Sequence, residues 1–276
     1  MTEDSLGGLQ QQHSTHSSTS ASARASSAAR STLRRLADRA AAPIVADAPL
    51  PPDLVDFVDV LVQSDEGAAA TWIEHRLSQG ACADALVLDA LAPAAREVGR
   101  RWEEDEADFV AVTLALGRLQ RILRTLTARL AATGHVEGPT PGTVCVACLP
   151  DEQHTFGASI CAEFFARDGW QVMMGGPLSR TDTVELVRHT PTDVVALSVS
   201  RSTSFAAVAR LISRLRRASR NKDLMILIGG PMSAQVNALP DRLGADAATN
   251  DVTEAVRLSR ASVRERTARG GGRDVS

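Results

Sequence analysis

The chain has 276 residues, enough for one large domain or two modest ones, and 44% of them are hydrophobic, enough for real cores. Aromatics supply only 3% and tyrosine is absent, so Ala, Leu and Val must do the packing, which favours helices and parallel strands over a β-sandwich. A net charge of -3 gives no global pull toward nucleic acid or anionic lipid, no apolar run approaches the ~20 residues of a membrane span, and the N-terminus lacks the apolar core of a secretory signal; a cytoplasmic protein is expected.

Residues 1–50 consist mainly of Ser, Ala, Thr, Gln and Arg, too little apolar surface to offset ordering entropy, and are expected to be a disordered tail. Residues 51–133 read as a four-helix bundle. Leu54, Val55, Phe57, Val58, Leu61 and Val62 recur at helical spacing after Pro51-Pro52, and Ser64–Gly67 breaks the pattern. A second helix over 68–78 is expected to end at Gly80. A third spans about 81–104 with Pro93 as a possible kink, and a fourth spans about 109–132.

Residues 134–142, rich in Gly and Pro, form a linker. From 143 to 265 short apolar runs alternate with amphipathic stretches. Strands are expected at 144–149, 172–174, 194–199, 224–228 and 245–248, and helices at 158–167, 183–189, 205–217, around 233–239 and 252–264. Five βα units mean a mostly parallel sheet with helices on both faces. Residues 266–276 read as a loose tail. Cys145 and Cys148 suggest a metal or redox pair, but on a strand they point to opposite faces and cannot share a metal; core packing is expected.

In such a sheet ligands sit beyond the carboxyl ends of the strands. After the first strand comes Asp151-Glu-Gln-His-Thr-Phe-Gly157, with His154 flanked by acids and followed by a helix-opening glycine. After the third come Ser198 and Ser200 in a hydroxyl-rich run, and after the fourth Gly229-Gly230, where a side chain would block something close to the backbone. Neither a G-x-G-x-x-G fingerprint nor a Walker lysine loop is present.

These three segments resemble the D-x-H-x-x-G, S-x-L and G-G motifs of cobalamin-binding domains, in which a helical bundle precedes a flavodoxin-like (Rossmann-like) α/β domain. The resemblance covers about residues 52–265 and implies that His154 ligates cobalt of hydroxo-, methyl- or adenosylcobalamin. It implies that the nucleotide tail threads beside Ser198 and past Gly229 and Gly230. Neutral imidazole suits cobalt, and its second nitrogen usually donates to a carboxylate, here Asp151 or Glu152. His135 in the linker is a rival axial ligand. The family's aspartate is Glu152 here and its leucine is Ser200, which makes that wall more polar.

Ala95-Arg-Glu-Val-Gly-Arg-Arg-Trp102 is similar to the segment whose tryptophan caps the corrin, although on composition alone Trp102 reads as bundle core or a domain-interface filler. Adenosylcobalamin photoreceptors and methyltransferases of the superfamily place a Glu-His pair about ten residues later. Here those positions hold Val112 and Thr113. The pattern resembles the AerR/PpaA group of photosynthesis-gene regulators, as does Asp108–Leu114. That implies a light-responsive antirepressor, not an enzyme, acting on a repressor of the CrtJ/PpsR type and touching DNA only through it. A corrinoid carrier subunit of a methyltransferase system is the alternative, and haem on the same histidine a further one. The basic run Arg210, Arg214, Arg216, Arg217, Arg220 and Lys222 reads either as a solvated helix face or as a docking surface for an acidic partner or for DNA held by that partner.

Overall fold

In a computed structural model, the described residues are 50–63, 66–133, 140–149, 155–174, 180–199, 204–230 and 239–270. Helices α1 (Pro52–Gln63) and α2 (Glu66–Ser78) open the bundle. Gly80 at φ +90° closes α2, with the Gly80 and Ala81 amides donating to the carbonyls of Leu77 and Arg76. Helix α3 (Ala83–Leu86) passes through a π-helical turn, Val87–Leu91, into α4 (Ala92–Glu103). The irregularity expected at Pro93 thus falls just before it. Proline sits in the first turn of α4, and the wider turn is closed by the Ala92 amide donating to Val87 O. Helix α5 (Phe109–Thr133) completes the bundle. Its core is the apolar stripe read from the sequence: Phe57, Leu61, Leu91, Val98, Leu119 and Leu126 are all buried.

The second half holds strands β1 (Thr143–Cys148), β2 (Gln171–Met173), β3 (Val194–Ser198), β4 (Met225–Gly229) and β5 (Ala247–Ala248). Its helices are α6 (Phe156–Arg167), α7 (Arg180–His189), α8 (Phe205–Ala218), α9 (Leu239–Leu243) and α10 (Val252–Gly270). The strands are all parallel, in the order β2-β1-β3-β4-β5. This is the flavodoxin-like order, whose direction reverses between β1 and β3. The loose tail expected from residue 266 gives way to helix as far as Gly270. Arg266 explains the extension: it donates to the Asp223 carbonyl and faces Asp193, which ties this last stretch to the sheet. The helix expected around 233–239 falls mostly outside the described residues, where α9 begins at Leu239.

Alternation along the strands feeds two cores. Cys145, Ala147, Val195, Leu197, Ile226 and Ile228 pack against α7 and α8. Val144, Val146, Cys148, Val194 and Leu227 pack against α6 and α10. Cys145 and Cys148 therefore lie on opposite faces, and burial pushes the Cys145 thiol up to about 12, which keeps it neutral. Helix α6 has two working sides. Ala158 and Phe165 face the sheet, while Phe156, Ile160 and Phe164 join the core of the bundle. A paired contact between Arg167 and Asp84 fastens the same helix to α3. Among the described residues no helix is long and apolar enough to cross a membrane.

Candidate functional site

Parallel register brings the ends of the central strands level. Cys148 pairs with Ser198, and Ser198 pairs with Gly229. Two of the three motifs read from the sequence are thus neighbours across the sheet, and β1, the strand that precedes the first, lies beside them. Ser198 is partly buried at this rim. Of the residues expected in the site, Asp151, Glu152, His154 and Ser200 lie outside the described residues, as does His135.

The two glycines differ. Gly230 sits at φ +86°, and a Cβ there would lie 2.7 Å from Val199 O and 3.0 Å from Val199 N. The backbone it must clear is the protein's own, that of Val199. The close pairing at the ends of β3 and β4, where the Val199 amide donates to Gly229 O at 3.0 Å, leaves no space for a side chain at Gly230. At Gly229 a Cβ would only touch Thr249 O at 3.4 Å. Gly157, in the first turn of α6, has nothing among the described residues within 4 Å of where its Cβ would stand.

The bundle contributes an apolar surface at the turn between α4 and α5. Arg100 ties that turn together, donating to Glu97 at 2.7 Å and Glu106 at 2.8 Å and also pairing with Glu104. The same guanidinium, donating to Glu97, holds that carboxyl below its ordinary range. Asp105 takes a positive φ of 57°, and the Asp108 carboxylate accepts from the Ala111 amide to cap α5. So fixed, Trp102 meets Phe109 edge-on with ring centroids 6.3 Å apart. Trp102 is 43% exposed, Phe109 70%, Val110 62% and Leu114 49%. Trp102 is therefore not a core residue of the bundle. The segment Asp108–Leu114, which holds the other three, stood out in the sequence but their exposure did not, although a helix that is apolar around its whole first turn is a detectable signal.

Val112 packs partly buried against the bundle core. The exposed Thr113 spends its hydroxyl on the Phe109 carbonyl at 2.7 Å. His75 and His189 stand exposed on helices, His75 beside Gln79 and His189 beside Glu185. Among the described residues no group of three or more His, Cys, Asp and Glu gathers as a metal site.

Two family models match this chain, both described as a B12 binding domain, one over residues 142–258 and the other over residues 54–127. An uncharacterised 20.5 kDa protein from the bchF-crtJ intergenic region of Rhodobacter capsulatus is 31% identical over 160 residues, 58% of this chain and 82% of that protein. This chain belongs to the B12-binding family.

Corrinoid proteins are also similar to this chain. A corrinoid protein of Desulfitobacterium hafniense is 22% identical over 207 residues, 75% of this chain and 95% of that one. The monomethylamine corrinoid protein of Methanosarcina barkeri superposes with a TM-score of 0.60 at 18% identity, covering 75% of this chain and 96% of that one, which supports the shared fold. The described residues fit a corrinoid in three ways. Gly157 borders open space at the strand ends, Ser198 offers a hydroxyl on the rim, and the Trp102–Phe109 cluster presents an apolar face without a partner inside the bundle core.

Proposed function

We propose that this chain is a cobalamin-binding regulator that acts on a repressor protein of the CrtJ/PpsR type and relieves its repression, without catalysis of its own. The observation that carries this reading is the state of Val112 and Thr113. Where methyltransferases and adenosylcobalamin photoreceptors of the superfamily are expected to hold a Glu-His pair, one residue is turned into the bundle and the other is bonded to its own helix. Neither offers an acid or base. The Rhodobacter relative's position between bchF and crtJ supports the same assignment.

In this reading His154 ligates cobalt, oriented by Asp151 or Glu152. Gly157, Ser198, Ser200 and Gly229 border the path of the nucleotide tail, Gly230 keeps the close strand pairing that shapes it, and Trp102 covers the opposite side. Cobalamin held there would supply a metal centre with a light-sensitive, exchangeable ligand. A ligand shifts a conformational equilibrium only as far as it binds the two states differently. Helix α6 is the element suited to carry that difference. It starts two residues after His154, holds the sheet with one side and the bundle with the other.

Absorbance spectra of the full chain with hydroxo-, methyl- and adenosylcobalamin, in darkness and light, test the reading. Uptake is expected with a spectrum that changes in His154→Ala; no uptake under any illumination, or an unchanged spectrum, overturns it. The alternative, a corrinoid carrier of a methyltransferase system, is favoured by the names of the Desulfitobacterium and Methanosarcina relatives. Methyl turnover with donor and acceptor proteins would establish the carrier, and a light-dependent change in repressor affinity without turnover the regulator.

A further inference from the structure

From Val194 to Lys222 the sequence contains no acidic residue, although the whole chain carries a net charge of -3. Helix α8 lies in this stretch. Its inner side is buried through Val208, Leu211, Ile212 and Leu215. Its outer side carries Arg210, Arg214 and Arg217, and the turn beyond adds Arg220 and Lys222; all five are exposed. Residues 210, 214 and 217 fall on one stripe at i, i+4 and i+7, spanning about 10 Å of helix.

Elsewhere arginine is generally spoken for. Arg76, Arg100, Arg101, Arg167, Arg188 and Arg260 each meet a carboxylate. Among the described residues none of the five cations on and after α8 does; Arg217 and Lys222 donate only to the nearby carbonyls of Ser213 and Ser219. Arg216, on the same helix, is turned away and bonded to the carbonyls of Gly244 and Leu224 and to Asp246. A row of uncompensated like charges costs self-repulsion unless an anion shares it.

The composition of the stripe selects the partner. Protein interfaces centre on buried aromatic and apolar anchors and are depleted in charge at that centre. Between Ala206 and Lys222 this surface has no exposed large apolar side chain. Arginine with an interspersed hydroxyl, here the exposed Ser213, is instead the chemistry that meets phosphate oxygens. We infer that the outward face of α8 binds the phosphate backbone of duplex DNA without reading sequence. The protein then touches DNA directly, and a partner supplies the sequence specificity. This deepens the regulator reading, but its test needs neither corrinoid nor partner, so the two fail separately.

The experiment is fluorescence anisotropy of a labelled duplex of about thirty base pairs of arbitrary sequence, titrated with the full chain at several salt concentrations. The comparison is the triple variant R210Q/R214Q/R217Q. With about three phosphates neutralised by the stripe, the slope of log K against log salt is expected to lose about 2.7 units in the variant. The wild-type affinity attributable to those residues falls about 40-fold between 50 and 200 mM salt. Unchanged far-UV melting of the variant shows that its fold is intact. R216Q, which keeps the stripe, is expected to retain the wild-type slope. Absence of duplex binding at 50 mM salt overturns the inference, and so does equal binding by the triple variant. Displacement of the duplex by an acidic polypeptide at a much lower charge concentration than unlabelled DNA requires would assign the surface to a protein instead, and would overturn it equally.

Discussion

A positive φ and a missing Cβ make different demands, and Gly229 and Gly230 separate them. Gly230 needs both, since its backbone is left-handed and its Cβ site is filled by Val199. Gly229 needs neither strictly, because its nearest obstacle is the Thr249 carbonyl at ordinary contact distance. Gly230→Ala is therefore expected to destabilise the apoprotein by about 1–3 kcal/mol or more. Gly229→Ala is expected to stay within about 1 kcal/mol. Urea unfolding without cofactor measures both, and equal costs would mean that the close strand pairing does not impose the difference. Any loss of corrinoid binding in the stable Gly229 variant then reports on the ligand and not on the fold.

At the scale of elements, α8 shows how one helix divides its arginines between structure and surface. Arg216 reaches across to the Gly244 carbonyl and Asp246 ahead of β5 and to the Leu224 carbonyl ahead of β4. Replacing it with glutamine abandons several acceptors and is expected to cost about 1–3 kcal/mol. Arg214→Gln, on the exposed stripe, is expected to change stability by no more than about 0.5 kcal/mol. Thermal or denaturant unfolding of the two variants distinguishes them, and a surface role for Arg216 would show as two equal, small effects. The basic run was legible in the sequence, but its division was not. Helical periodicity places residues 214, 216 and 217 within a turn of one another, whereas the partner that pulls Arg216 inward comes from about thirty residues downstream.

At the scale of the whole molecule, the apolar cluster around Trp102 is on the bundle, and the strand ends that carry the motifs are on the α/β half. Helix α6 joins the two by contributing to both cores. A cofactor gripped on the strand side and covered from the bundle side would bias how these halves meet. Trp102→Ala removes a ring that is 43% exposed, so the apoprotein is expected to lose little stability. Its affinity for hydroxocobalamin is expected to weaken by at least about tenfold, since burial of a large apolar side chain against the corrin is worth more than 1.4 kcal/mol. Absorbance titration checks this, and undiminished affinity would remove Trp102 from the site.

The sequence alone determined the succession of elements, because a period near 3.6 and a period of 2 are properties of neighbouring residues and need no partner to be read. It also placed the motif loops at the strand ends, which follows from the parallel order of βα units. Only the tertiary structure decided that Gly230 is demanded by Val199, that Val112 turns into the bundle, and that Phe109, Val110 and Leu114 stand exposed beside Trp102. It also decided that the final helix runs on to Gly270. Each of these depends on what arrives from a distant part of the chain. Local pattern sets which side of an element is apolar, and long-range packing sets what that side meets.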